Sequence, residues 1–214
     1  MRLFVTGIGT DVGKTIVSAI LVEALEADYW KPIQSGTTPS TDRGTVERYI
    51  SNGKSTVFQN AVTLQAPMSP HAAAALERRT VSISQLERPQ TANTLVIEGA
   101  GGVFVPINDT ETIMDLIQPD DLVVIVSRHY LGSINHTLLT IEALRHAGKQ
   151  ILGIVFNGDE VPSTEEVILK KTGLNMIARI EDEPYFDRNV IRDYAEILKQ
   201  NISKLLNRQE AYAG

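Results

Sequence analysis

The chain has 214 residues, 43% of them hydrophobic, enough apolar material for a sizeable core in one globular domain over 1–214. A net charge of −6 argues against nonspecific nucleic-acid binding through a basic face, and the lack of cysteine excludes a disulfide framework, a thiolate metal site and an iron–sulfur cluster. The opening residues lack a basic stretch followed by an apolar signal core, and no run of about 20 apolar residues offers a membrane span. Cytoplasmic residence, with no membrane and no nucleic-acid partner, is the resulting expectation.

The first predicted strand, 3–5, runs through Thr6 into Gly7-Ile8-Gly9-Thr10-Asp11-Val12-Gly13-Lys14-Thr15, and an apolar helical pattern follows over 15–26. A strand that stops at a glycine-rich loop and restarts as a helix with Lys-Thr suits a phosphate-binding loop. The glycines let backbone N–H groups turn onto phosphates, the Lys reaches the terminal phosphates, and the hydroxyl holds Mg²⁺ at the positive end of the helix dipole. Five residues separate Gly7 from Gly13 where the usual loop has four, and Ile8 stands where that loop has its first Gly. A dinucleotide loop is the competing reading. It expects an acidic residue at the end of the second strand, whereas the second predicted strand, 29–33, runs through Lys31-Pro32.

Pro32 forbids ladder pairing, so Lys31 falls where a strand breaks: either a surface lysine or a second cation for phosphoryl transfer. A helix-like stretch over 43–50 begins after Thr41-Asp42. Either residue serves as its N-cap, or Asp42 faces the phosphates and shares the cation. Ser69-Pro70-His71 precedes a small-residue helix over 72–76. The strand 94–97 ends on Glu98-Gly99-Ala100-Gly101-Gly102, where a carboxylate suits Mg²⁺ and the glycines permit close backbone approach to a ligand.

A strand over 122–126 leads to Leu131-Gly132-Ser133-Ile134-Asn135-His136 and a helix over 133–146. Free N–H groups at such a start suit a carboxylate, and Ser133 as a simple N-cap explains the segment equally well. Strands over 151–156 and 176–180 flank a helix over 163–171, and a final helix over 190–206 carries Ile191, Tyr194, Leu198, Ile202 and Leu205 on one face. None of the four histidines has metal-ligand spacing. Continuous apolar strands alternating with helices predict an α/β fold: a mostly parallel sheet of P-loop nucleotide-hydrolase type with helices on both faces, and ligands at the carboxyl ends of the strands.

These segments together resemble the dethiobiotin synthetase family, ATP-dependent carboxylases of biotin synthesis, from Leu3 to about Gly158. The five-residue loop gap, Thr10 and Val12–Thr15, Lys31-Pro32 with Ser35-Gly36, Ser69–His71, Glu98–Gly102, and Leu131-Gly132 with Ile134–His136 match in the family's order. Ile8 and Gly9 depart from the family's Thr and Asp, and Ile180-Glu181-Asp182 departs from its later Ile-Pro segment. The resemblance implies a cyclo-ligase that adds CO₂ to diaminononanoate and closes the ring through a phosphorylated carbamate. In it Lys14, Lys31 and Thr10 would be catalytic, and Thr15, Asp42 and Glu98 would hold Mg²⁺. ATP would lie against Asp11, Val12, Gly13, Lys14, Thr15, Ile16, Glu98, Gly99, Ala100, Gly101, Asn157 and Gly158, with Asn157 on adenine. Ser35 would contact the diamine, and Gly132, Ser133 and Asn135 would bind the substrate carboxylate across a homodimer. The alternatives are a partitioning or positioning ATPase and a small-molecule kinase. Partitioning ATPases carry an extra Lys early in the loop, where this chain has Thr6, Gly7 and Ile8.

Overall fold

Strands that are apolar at consecutive positions must be covered on both faces, and the architecture follows from that requirement. The computed structural model describes residues 1–37 and 40–213, with side chains through Asn207; Thr38, Pro39 and Gly214 lie outside the described residues. The main sheet contains β1 (Arg2–Gly7), β2 (Asp28–Trp30), β5 (Leu95–Glu98), β6 (Leu122–Arg128), β7 (Gln150–Asn157) and β8 (Met176–Ile180). Its order is β2-β5-β1-β6-β7-β8 and every pairing is parallel.

Side chains alternate between two cores. Leu3, Val5, Val124 and Val126 enter one cluster, while Phe4, Val123 and Ile125 enter the other. The first cluster is closed by α1 (Lys14–Leu25), α2 (Asp42–Tyr49) and α6 (Arg188–Ala213). The second is closed by α3 (Pro70–Leu76), α4 (Ser133–His146), α5 (Pro162–Thr172) and two short 3-10 turns, Ile83–Gln85 and Ile113–Leu116. Ile191, Leu198 and Ile202 of α6 are fully buried, each worth about 1.5–3 kcal/mol of apolar transfer. That is why α6 docks on the sheet. Its start is fixed by Asp187, whose Oδ1 accepts from the N–H groups of Asn189 and Val190 at 2.8 and 2.9 Å.

The expected strand over 29–33 does not exist as one element. The chain leaves the main sheet at Lys31-Pro32, and β3 (Ile33–Ser35) pairs instead with β4 (Val62–Leu64) in a separate parallel pair. Proline supplies no N–H to a ladder, and the Pro32 carbonyl accepts from the N–H of Val62 at 3.0 Å, so the break doubles as the anchor of the second sheet. The break also turns Lys31 inward: the residue is 5% exposed.

The long excursions between α3 and β6 cover the second cluster. Arg88 fastens them with both terminal nitrogens 2.7 Å from the carboxylate of Asp121, which is fully buried, and donates to the Leu116 carbonyl as well.

Candidate nucleotide and phosphoryl-transfer site

β1 lies centrally, with β5 on one side and β6 on the other, so the carboxyl ends of three strands open around the loop that follows it. Gly13 caps α1 in the left-handed region at φ +94°, and a Cβ there would lie 2.4 Å from the Asn157 amide nitrogen. A residue larger than glycine is therefore excluded twice, by conformation and by space. Asn157, at the end of β7, donates that amide to the Val12 carbonyl at 2.9 Å and so ties the loop to the sheet. The first turn of α1 contains no acidic side chain, leaving its free N–H groups for an anion.

Ile8 carries β1 one residue further, donating its N–H to the Val126 carbonyl at 3.1 Å, and its side chain packs on both cores. The extra loop residue is thus absorbed into the sheet. The Lys14 ammonium donates to the Gly9 carbonyl at 3.0 Å. Burial lowers the Lys14 pKa from its ordinary 10.5 to about 8, only partly opposed by Glu98.

Four charged or hydroxyl side chains from four segments converge beside this loop. The Thr15 hydroxyl, on α1, is 2.6 Å from Asp42 Oδ1 and 3.0 Å from Glu98 Oε1. The Lys31 ammonium lies 2.6 Å from Asp42 Oδ2 and 2.9 Å from Glu98 Oε1. Burial works against the Lys31 charge, but Glu98 and Asp42 outweigh it and hold its pKa above the usual lysine value. Burial would likewise raise the Asp42 carboxyl, yet Lys31 keeps it below the ordinary range. Thr41 settles the capping question: its side chain accepts from the Gly44 N–H at 3.1 Å, and Asp42 is left free for the site.

Three oxygens of the hard type a Mg²⁺ ion prefers therefore stand together. With only two carboxylates among them, a cation here would need phosphate oxygens or water to complete its shell, the usual arrangement for Mg²⁺ in phosphoryl transfer. Among the described residues, no group of three or more His, Cys, Asp or Glu forms a self-sufficient metal site.

A cleft of about 760 Å³ opens over the cluster. Of the residues singled out by sequence, Thr10, Asp11, Gly13, Lys14, Thr15, Ile16, Lys31, Ser35, Asp42, Glu98, Ala100, Gly101 and Asn157 line it. Val12 is buried behind the loop, and Gly158, at φ +109°, donates its N–H to Ile180 at 2.8 Å. Of the glycines after Glu98, Gly102 approaches the phosphate loop, where a Cβ would meet the Gly7 carbonyl at 3.3 Å; one on Gly101 would meet Val105 at 2.7 Å and the Thr10 hydroxyl at 3.4 Å, and one on Gly99 the core residues Phe4 and Ile113 at 3.1 Å. Gly132, Ser133 and Asn135 do not line the cleft. Gly132 at φ +103° is the cap of α4, so Ser133 is not its N-cap; Ser133 is buried within the first turn, while Gly132 and Asn135 face solvent.

Sequence reading passed over Tyr29, whose buried hydroxyl donates to Glu98 Oε2 at 2.8 Å, and Gln34. The Gln34 amide donates to the Gly36 carbonyl at 3.0 Å, and its oxygen accepts from the Asp42 N–H at 3.2 Å. It also passed over Arg128, Glu183 and Phe186, which line the cleft with Glu181 and Asp182 of the segment that departs from the family pattern; Arg128 pairs with Asp182 at 3.0 Å. Tyr29 and Gln34 sit two and three residues from Lys31, on the strands flanking the Lys31-Pro32 break, but nothing in their residue type marks them as different from core positions.

A glycine loop at the end of a central parallel strand, with paired lysines, two carboxylates and a hydroxyl above it, defines a P-loop nucleotide-binding protein of the α/β class. A family model described as an AAA domain matches residues 1–190. The sequence is 54% identical to an ATP-dependent dethiobiotin synthetase of Christiangramia forsetii over 94% of this chain and 98% of that protein. It is 45% identical to the synthetase of the same name from Cytophaga hutchinsonii, with the same coverage. The chain belongs to the ATP-dependent dethiobiotin synthetase family. The septum site-determining protein of Pyrococcus horikoshii, solved with Mg-ADP, shares the fold at a TM-score of 0.53 with 15% identity, covering 100% of this chain and 98% of that one. Among the described residues, no helix is long and apolar enough to cross a membrane.

Proposed function

We propose that this chain catalyses the ATP- and Mg²⁺-dependent carboxylation of diaminononanoate with CO₂ to dethiobiotin, releasing ADP and phosphate. The observation that carries this reading is the meeting of Lys31, Asp42, Glu98 and Thr15 directly beside Lys14. CO₂ adds to one amine to give a carbamate, a poor electrophile until a phosphoryl group makes one oxygen a leaving group. The second amine then attacks the carbonyl carbon, phosphate departs and the ureido ring closes. No covalent protein nucleophile is needed; phosphoryl transfer needs alignment and positive charge. Lys14 lies on the phosphate loop and neutralises charge on the terminal phosphates. Lys31, anchored between two carboxylates, holds a fixed ammonium where the carbamate and the transferring phosphoryl group meet. Thr15, Asp42 and Glu98 would hold the Mg²⁺ ion, which when bound supplies further charge neutralisation on the phosphates.

Ser35 supports a diamine contact from this side of the cleft, since its buried hydroxyl has no protein partner. Asn157 spends its amide donor on Val12, which leaves its oxygen to accept from an exocyclic amine such as that of adenine. The substrate carboxylate belongs to Gly132, Ser133 and Asn135 of a second copy. These residues stand outside their own cleft and are bordered by exposed Tyr130, Leu131, Ile134 and Leu139, a patch suited to a homodimer. The enzyme would work as a single-domain protomer of a cytoplasmic dimer, with small molecules as its other partners.

ADP release measured with and without diaminononanoate and bicarbonate tests the reading. ADP should form only when both are present. Turnover indifferent to them would favour a nucleotide switch and defeat the synthetase assignment.

A further inference from the structure

Glu98 has two carboxylate oxygens with different surroundings. Oε1 faces Lys31 at 2.9 Å and Thr15 at 3.0 Å, and so faces the cleft. Oε2 accepts from the Tyr29 hydroxyl at 2.8 Å and points into the protein. Tyr29 is fully buried on β2, and Trp30 ↔ Ile97 pairing fixes β2 against β5 one step before Glu98. Its ring packs in the core beneath α1, so the hydroxyl cannot swing to another acceptor.

Held only by the Lys31 ammonium and the Thr15 hydroxyl, the carboxylate could rotate about its last torsion and offer either oxygen, or both, to the cleft. We propose that Tyr29 is a positioning residue: it fixes the Glu98 carboxylate so that Oε1 alone is presented to the divalent cation that accompanies the nucleotide. This deepens the phosphoryl-transfer reading and rests on Glu98 as a cation ligand. The physical basis is that of outer partners at metal sites generally, where a hydrogen bond to a ligating carboxylate fixes its orientation and its basicity. Glu98 is 1% exposed, so water is poorly placed to replace the hydroxyl.

The test uses the full-length protein and a fluorescent ADP analogue, titrated at increasing Mg²⁺ and in EDTA. In the wild type, affinity should rise with Mg²⁺; if it does not, the cation reading itself fails, independently of Tyr29. Given that dependence, Tyr29→Phe should need roughly ten- to a hundredfold more Mg²⁺ for the same affinity, with affinity in EDTA unchanged. In a Glu98→Gln background the same substitution should produce no further change, since Tyr29 acts through that carboxylate. An unchanged Mg²⁺ requirement in Tyr29→Phe, or an equal effect in both backgrounds, overturns the proposal. So does a Tyr29→Phe protein that fails to fold, judged by the emission of Trp30, the chain's one tryptophan, because the hydroxyl would then be a requirement of the fold.

Discussion

At the scale of single residues, the two lysines differ in a way that makes each separately testable. Lys14 is buried without a carboxylate contact, and its pKa falls to about 8; Lys31 is buried between two carboxylates and stays charged. Between about pH 8 and the ordinary 10.5, the folded protein carries Lys14 neutral while an unfolded chain would keep its proton. The penalty of burying charged Lys14 therefore weighs on stability below pH 8 and is relieved as the pH rises. Phosphates require the ammonium, so nucleotide binding at about pH 9 should take up close to one proton, and at about pH 7 almost none. Calorimetry in buffers of different ionisation heat measures this; no uptake at the higher pH would contradict the burial argument. Lys31→Ala should lower ring closure by at least about a hundredfold. It should also destabilise the fold by roughly 3–5 kcal/mol, because Glu98 is left buried without its cation. Denaturant melts and dethiobiotin assays on the same preparation check both, and full activity would return Lys31 to an ordinary structural lysine. The place of Lys31 before proline left it either a surface lysine or a second cation, and its burial removes the surface reading. Asp42 and Glu98 were grouped only as implied cation ligands with Thr15, since spacing in sequence does not reveal that residues 31, 42 and 98 touch.

At the scale of elements, the phosphate loop is defined by what surrounds it as much as by its own residues. Gly13 meets Asn157 from the far end of the chain, Gly7 and Thr10 lie close under Gly101 and Gly102, and Ile8 is pinned to β6. Gly13→Ala should cost about 1–2 kcal/mol for a side chain in the left-handed region. By displacing Asn157 it should also weaken nucleotide affinity more than melting temperature. Thermal melts with and without ADP separate the two effects; an alanine variant with native affinity would show that the Asn157 contact is dispensable. The apolar strands and the helices after them could be read from periodicity. The split of 29–33 into β2 and β3 could not, because the proline that marks the break says nothing about the new partner, and Val62-Thr63-Leu64 is too short and too polar at its centre to announce a strand. The glycines after Glu98 were read as permitting close backbone approach to a ligand, and Gly102 in addition lies close to the protein's own loop.

At the scale of the whole molecule, the carboxyl ends of the main sheet, the second strand pair at Gln34 and Ser35 and the start of α2 at Asp42 all line the cleft, and the α4 start proposed for the substrate carboxylate is the part left outside. The exposed apolar surface at Leu131 and Ile134 borders that segment, so assembly and substrate binding should fail together. Leu131→Glu should sediment as a folded monomer and lose diaminononanoate affinity, while nucleotide affinity is kept; a wild-type monomer with full activity would remove the shared site. The fold class and the family marks were visible along the chain because they are local. The α4 start suited a carboxylate by its free N–H groups and was given to the substrate by resemblance, while its place apart from the cleft is a property of the tertiary structure. If the phosphoryl group passes to a carbamate made from CO₂, one oxygen of the carbon dioxide must leave in the phosphate. With ¹⁸O-labelled CO₂ in unlabelled water, sampled before the label exchanges, one labelled oxygen should appear in the released phosphate for each dethiobiotin formed. Phosphate free of label, with dethiobiotin still produced, would mean that water rather than the carbamate attacks ATP, and would contradict the proposed transfer.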